Sequence, residues 1–486
     1  MTQSKIYKKA GIIIIAVILS GFTGNLFGQQ SNTLYYMREV PQSHFLNPAT
    51  QPDCGFYLGL PGISPFYINA DNSSLSLKNV LWYDNELDSV ITFLHPKANL
   101  DDFLKNFGKT NYITEEADLN LVSFGFRVSE MFFSVDVTLR ESMKFSYPGD
   151  LVKFIFEGNN SGEVLDFSGL GIDANNYTAV SLGVSKKFSE ELSVGVKGKL
   201  LFGLANLSTS NTDIHVNTGI DQWTLQSKFN VNASLPGITI PTNSDGNLDF
   251  ENMKFDDNLP VHDYTKMFTK NFGLGIDMGV HYKPLDKLTV SASLLDLGYI
   301  RWKSYTYNMT QDASFDFQGA TVDFNNDSSD IGQMLLDSMK NAFTLTNSND
   351  PYTTFLNGKL YLGVNYHVLD QISFGLLSRS EMIKGKIRQQ FTLSSNFYPF
   401  RGFAATISYS IMNKTYDNLG FGISTRLGPF SLYFISDNIP LTYDRIKSSP
   451  VIIPNNARTF NFRLGLNLVF ACNPQKKIMK DKPLIY

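Results

Sequence analysis

Between residues 117 and 471 the chain returns again and again to a two-residue hydrophobic period. It holds that period over runs long enough to cross a bilayer as strands. In the last run, 460–470, Phe460, Phe462, Leu464, Leu466, Leu468 and Phe470 share one face, and Asn461, Arg463, Gly465 and Asn467 share the other. The same split sets Phe272, Leu274, Ile276, Met278 and Val280 against Gly273, Gly275, Asp277, Gly279 and His281. It also sets Phe133, Val135, Val137 and Leu139 against Ser134, Asp136, Thr138 and Arg140. A soluble sandwich buries its apolar face with strands of about 5–6 residues, whereas a membrane barrel turns that face to lipid with strands of about 9–11. Strand length and the polar opposing face both favour the barrel.

The expected fold is therefore all-β: a closed antiparallel transmembrane β-barrel of about 14–16 strands, the even count being the rule for such chains. Closure is required because backbone groups at an open sheet edge find no water in lipid. Asp136, Arg140, Asp277, His281, Arg463 and Asn467 are the lumen-facing candidates; Phe460, Phe462, Leu464, Leu466, Leu468 and Phe470 are the lipid-facing ones. Links between runs alternate in length. Those at 128–131, 188–192, 283–287, 368–371, 398–402 and 427–430 are short; those at 147–175, 234–270, 304–354 and 438–458 are long. This is the pattern of short periplasmic turns and long outer loops. Two long links hold helical patterns, at 148–158 and 328–343, which could be extracellular caps or could fold into the lumen, the first a candidate for filling the bore.

The first 28 residues read as a secretory signal, with Lys5, Lys8 and Lys9 ahead of a nine-residue apolar core, 11–19, and cleavage expected after Gly28. That core is too short to span a bilayer. The expected organisation is signal 1–28, an N-terminal plug with a first strand and loop over 29–116, the barrel over 117–471, and a periplasmic tail at 472–486. A net charge of -4 gives no basic excess for nucleic acid.

Neither an enzyme nor a cofactor is expected. HExxH, a phosphate-binding glycine loop and a GxSxG elbow do not occur, and the six histidines are scattered. Asp277 and His281 lie on one strand face, but four residues of strand rise set them roughly 13 Å apart, too far to work as a pair. Asp245, Asp249, Glu251, Asp256 and Asp257 lack calcium-loop spacing and read as a solvated loop, so no metal is expected. Cys54 precedes the first strand-like segment and Cys472 ends the last, 418 positions on. In a closed barrel they could meet and oxidise; two unrelated free thiols are the more ordinary expectation.

Asn47-Pro48-Ala49 and Gly59-Leu60-Pro61 near the start carry a resemblance. With them come Gly158-Asn159, Leu165-Asp166-Phe167-Ser168, Leu200-Leu201-Phe202-Gly203, Asn232-Ala233-Ser234 and the run Asp296-Leu297-Gly298-Tyr299-Ile300-Arg301-Trp302. In this order they resemble a Bacteroidota outer-membrane barrel family of unknown function, related to FadL-type barrels. The resemblance implies an outer-membrane barrel with an N-terminal plug that passes a small hydrophobic solute, with outer-membrane lipid around it. Two alternatives stay open: a structural or interaction barrel with protein partners in a surface or secretion complex, and an open porin, which the polar inward faces favour.

Overall fold

A computed structural model describes residues 32–472 apart from 85, 159–161, 220–221, 243–248, 250–251, 257–259, 318–345, 384–385, 401, 413–414, 440–442, 446–451 and 455–457. The signal segment, the helix expected at 328–343, the tail beyond Cys472, and Asp245, Glu251 and Asp257 lie outside the described residues.

Fourteen antiparallel strands close on themselves. They are β1 (in two pieces, Cys54–Gly59 and Phe66–Asn72), β2 (Thr110–Val128), β3 (Met131–Pro148), β4 (Gly171–Lys187), β5 (Leu192–Thr218), β6 (Trp223–Ser234 and Phe272–Leu285) and β7 (Leu288–Trp302 and Thr306–Phe317). There follow β8 (Thr346–Ser348, Tyr352–Phe355 and Lys359–Leu369), β9 (Ile372–Ile383), β10 (Lys386–Phe397), β11 (Phe403–Met412), β12 (Thr415–Leu427), β13 (Phe430–Ile439) and β14 (Thr459–Cys472). Each pairs with its sequence neighbour, and β14 closes on β1 through Phe56↔Phe470, Leu58↔Leu468 and Ile68↔Phe462. Residues 55–70 thus supply a strand of their own. The stretch 207–233 adds none; it lengthens β5 and β6 at one end, with Trp223↔Thr218 beside the hairpin turn. The second strand starts at Thr110, ahead of the clean alternation at 117.

The six tight turns at 129–130, 188–191, 286–287, 370–371, 398–402 and 428–429 share one rim with Cys54 and Cys472. The longest links lie at the other rim. The helix Gly149–Glu157 belongs to that outer rim and not to the bore: Phe156 packs on Phe93 and Phe103, and Phe154 on Phe167 and Trp223.

The faces are inverted relative to a soluble sheet. Leu362, Leu376, Leu393, Ile407 and Leu432 stand exposed on the outer wall, while Thr392, Ser394, Asn396, Thr406, Ser408 and Ser424 are buried inside. An apolar exterior around a polar interior is stable only where lipid is the solvent. No helix among the described residues is long and apolar enough to cross a membrane; the crossing is made by strands.

Cys54 pairs with Cys472 in the closing ladder, and the two form a disulfide, in place of the two free thiols expected. The seam where first and last strand meet brings together residues 418 apart, a proximity created by closure alone.

A plugged lumen with a charged chamber as candidate functional site

Residues 32–53 run back through the barrel before the first strand begins. Two short 3₁₀ turns, Thr33–Tyr36 and Pro41–Phe45, fold the segment into a compact plug; Pro41 starts the second because its fixed φ suits a first helical position. Leu34, Tyr35, Tyr36, Met37 and Val40 pack against inward-facing Leu295, Tyr361, Leu377, Tyr433 and Ile435. These apolar positions interrupt an otherwise polar inner face, so the lumen carries a fitted greasy seat.

Hydrogen bonds hold the plug on every flank. Thr33 N–H donates to Asp437 Oδ1 at 2.6 Å, and Asn32 Nδ2 donates to Gln390 Oε1 and Thr392 Oγ1, both at 3.1 Å. Tyr36 donates its hydroxyl to the Leu376 carbonyl at 2.6 Å. On the far side Gln42 Nε2 donates to Asn467 Oδ1 at 2.6 Å, and Asn467 Nδ2 returns a bond to Gln42 Oε1 at 3.1 Å. The Asn47-Pro48-Ala49 tripeptide lies against Gly195 and Gly279, which face each other across β5 and β6. A Cβ on Gly195 would run into the Pro48 carbonyl, and one on Gly279 into the Asn47 amide. Only a bare backbone admits the chain there.

His44 sits at the centre of this contact. Its Nε2 is 2.7 Å from the Tyr57 hydroxyl, and the Lys197 ammonium lies 2.9 Å from its Nδ1 while also binding Asp136 Oδ2 at 3.1 Å. The Lys197 ammonium can only donate, so Nδ1 accepts and Nε2 carries the proton toward Tyr57. Burial first, and the Lys197 charge second, hold the imidazole down at about 3. Glu39, near the turn rim, is pushed the other way, up to about 8, by burial and then by Asp53.

Beyond the plug, toward the loop rim, lies a chamber of about 1040 Å³, counting the space open to solvent; Phe45 and Leu46 of the plug border it. One register row runs along its wall over five neighbouring strands: Arg463, Tyr67, Asp118, Arg140 and Tyr177. The Arg463 guanidinium lies over the Tyr67 ring at 4.3 Å, and Arg140 Nε is 3.5 Å from Asp118 Oδ1. Opposite, a β-bulge in β7 gives Asp296 a positive φ of 58° and turns its carboxylate inward. Asp277 accepts the displaced Asp296 N–H at 2.7 Å, which fixes the bulge. Asp296 then receives Lys199 at 2.6 Å, Arg140 at 3.1 Å and Lys359 at 3.4 Å.

The six lumen candidates fall into two sets. Asp136, His281 and Asn467 hold the plug, His281 through Thr50 at 2.8 Å. Arg140, Asp277 and Arg463 belong to the chamber and its base. Asp277 and His281 do not meet: Asp277 binds Lys199 at 2.7 Å. Phe460, Phe462, Leu464, Leu466, Leu468 and Phe470 occupy the opposite face of β14. Asp296, Lys197, Lys199, Lys359 and Tyr67 escaped the sequence reading. Lys197 and Lys199 carried a signal, two cations at period two in a strand. Asp296 carried none in the period, which a bulge breaks; it entered only as the first residue of the run at 296–302. Among the described residues no cluster of histidines, cysteines and carboxylates has the arrangement of a metal site.

Fold and lumen together define a transmembrane β-barrel closed by its own N-terminal segment. Residues 48–437 match a family of unknown function, DUF5723, and the chain belongs to that family. No curated protein matches it. Among solved structures it is similar to the toluene transporter TbuX of Ralstonia pickettii, at 8% identity over 88% of this chain and 93% of that one, TM-score 0.38. A FadL homologue of Pseudomonas aeruginosa gives 10% identity over 93% and 100%, TM-score 0.38. The translocator domain of the autotransporter NalP from Neisseria meningitidis gives 8% over 92% and 100%, TM-score 0.31. Likeness at this level assigns neither solute nor mechanism.

Proposed function

We propose that the protein is an outer-membrane barrel that takes a small solute into its outer chamber and passes it inward when the plug shifts. The observation that carries this reading is the plug itself. A lumen that seats a segment of its own chain against Gly195 and Gly279, and bonds it to strands on both sides, is built to be closed at rest. An unplugged polar lumen of this strand number would hold water, so a permanently open porin does not fit the filled bore.

The solute expected from the family resemblance is hydrophobic. Phe45, Leu46, Leu295 and Leu356 offer it an apolar part of the chamber wall. The ionised part, Asp118, Arg140, Asp296 and Lys359, opposes a purely apolar guest, because covering charges without replacing their water is costly. A structural or surface-complex role is the second reading, and one observation favours it. β5 has 27 residues, roughly 90 Å at 3.3 Å per residue, whereas β9 and β10 have 12 each. One side of the barrel therefore projects far past the bilayer.

Conductance in planar bilayers tests the main reading. The intact protein should give small, brief openings, and a variant lacking residues 32–50 should give large, steady ones. Equal conductance from both would remove the plug from any gating role.

A further inference from the structure

The outer wall changes character at one level of β6 and β7. Phe272, Leu274, Ile276, Met278 and Tyr282 stand exposed along the outside of β6. Phe272 to Tyr282 spans ten residues, roughly 33 Å of strand, which a tilt of about 40° turns into roughly 25 Å of height. That is the full height of the apolar band of such a barrel, so Phe272 marks its edge on the side of the long loops. On β7 the same face carries Tyr299, then Arg301 level with Phe272, then Lys303 beyond it. Ile300 and Trp302 between them are buried inward, so both cations stand on the outside.

The helix Val261–Lys270 lies against the same patch from the outside. Phe268 packs on Phe202 at 5.7 Å and Phe202 on Phe272 at 5.8 Å, the last two a register pair on the outer face of β5 and β6. The helix therefore sits at the border between lipid and water and not over the bore. Its Lys266 and Lys270 are one turn apart. Lys266 lies over the Tyr305 ring at 4.6 Å, and Lys270 precedes Asn271, whose Oδ1 accepts the Lys303 N–H at 2.9 Å. A short helix with an aromatic ring against the wall and lysines away from it is the form that rides on an anionic lipid surface.

Lys266, Lys270, Arg301 and Lys303 are all exposed, and among the described residues none of them forms an ion pair. The nearest described acids in chain and ladder are Asp263, 3.4 Å from His262 Nδ1, and the exposed Asp350, so four cations stand against two anions. The register row just below, Leu200, Leu274, Tyr299 and Phe355, is an apolar strip across four strands, with Phe355 78% exposed. Cations above an apolar strip, at the edge of the band, match a molecule with an anionic head and hydrocarbon tails.

We infer that this wall binds the phosphate headgroup of a lipid of the outer leaflet. Arg301 and Lys303 take the phosphate, Lys266 and Lys270 close on it from the helix, and the acyl chains lie on Leu274, Tyr299 and Phe355. A guanidinium receives a phosphate through two parallel charge-assisted hydrogen bonds, and each further cation beside an anionic headgroup adds attraction. The site is on the outside of the barrel, so it is independent of what the lumen carries.

Native mass spectrometry of the detergent-solubilised full chain tests it with three probes: bisphosphorylated lipid A, the same lipid dephosphorylated, and inorganic phosphate. The phosphorylated lipid should remain bound as a discrete adduct, and removing its phosphates should weaken binding roughly tenfold or more. Inorganic phosphate at equal concentration should not displace it, because it has no chains for the apolar strip. The double variants Arg301→Gln with Lys303→Gln, and Lys266→Gln with Lys270→Gln, should each weaken the phosphorylated lipid, the first by a factor similar to dephosphorylation. Heat-dependent migration in SDS confirms that each is a folded barrel; if one is not, the dephosphorylated lipid still tests the charge requirement on the native protein. Equal retention of the two lipids, or undiminished retention by both folded variants, would overturn the inference. Displacement by inorganic phosphate at equal concentration would overturn it too, since the site would then hold an ion without a lipid.

Discussion

Asp296 shows how one residue can organise a lumen. Its bulge costs a strained backbone, and it is held by the Asp277 acceptor and three cations. Asp296→Asn keeps the shape but leaves Lys199, Arg140 and Lys359 short of their shared counter-charge. Removing one partner of a buried ion cluster costs about 3–5 kcal/mol, so this variant should lose its folded SDS band at a clearly lower temperature. His44 makes a pH prediction. An unfolded histidine titrates near 6.5, whereas His44 in its seat titrates at about 3. The seated form refuses the proton that the released form accepts. His44's share of the plug's hold is full above pH 6.5 and weakens as pH falls from there toward 3, against Glu39, whose raised carboxyl strengthens the seat as pH falls from about 8. Acidification over the lower window should therefore open the native channel more than His44→Gln, which has no imidazole to charge. β14 separates the two faces. Leu464→Arg puts a charge into lipid and should destabilise the barrel by about 2–4 kcal/mol. Asn467→Arg would be mild if the lumen were merely wet. Because Asn467 is buried against Gln42 and Ser64, it should instead dislodge the plug and raise conductance with the barrel intact.

The plug is legible as an element only through the wall that receives it. Its sequence, Asn32 to Asp53, has no strand period and no long helix, and its shape comes from contacts with the strands around it. The glycine pair beneath Asn47-Pro48-Ala49 makes this testable. Gly279→Val adds bulk where the Asn47 amide rests, while leaving the outer face of β6 unchanged. The expected outcome is a barrel that still resists SDS but conducts steadily. Closed behaviour in this variant would mean that the tripeptide's seat is not what retains the plug. The helix Gly149–Glu157 behaves differently: its aromatic face is satisfied at the outer rim by Phe93, Phe103 and Trp223, so deleting it should leave the bore closed.

At the scale of the whole molecule, closure sets the chemistry of the two cysteines. Denatured, unreduced protein should show no reactive thiol, and reduction should release two. A Cys54→Ser, Cys472→Ser variant keeps every ladder hydrogen bond, so it should still form a barrel. It should unfold faster, because the bridge holds first strand to last and anchors the chain right after the plug. Two reactive thiols before reduction would remove the covalent seam. The barrel as a unit should migrate differently in SDS before and after boiling, since its strands have no free edge at which to open.

The sequence by itself determined the barrel, its inner and outer faces, and the rim on which the tight turns lie. These follow from local rules: a two-residue period gives a two-faced strand, and a short link gives a hairpin. Arg140, Asp277 and Arg463 could be placed inside on that ground alone. What lies opposite them could not. That Thr33 meets Asp437, that Lys197 meets His44, and that Cys54 meets Cys472 was decided by the tertiary structure. Each pair is brought together across the bore or the seam by the closing of a sheet, and a period within one strand holds no information about the strand across from it. Asp296 lies beyond even the local rule, because the bulge that aims it inward is a break in the pattern, stabilised by partners on four other strands.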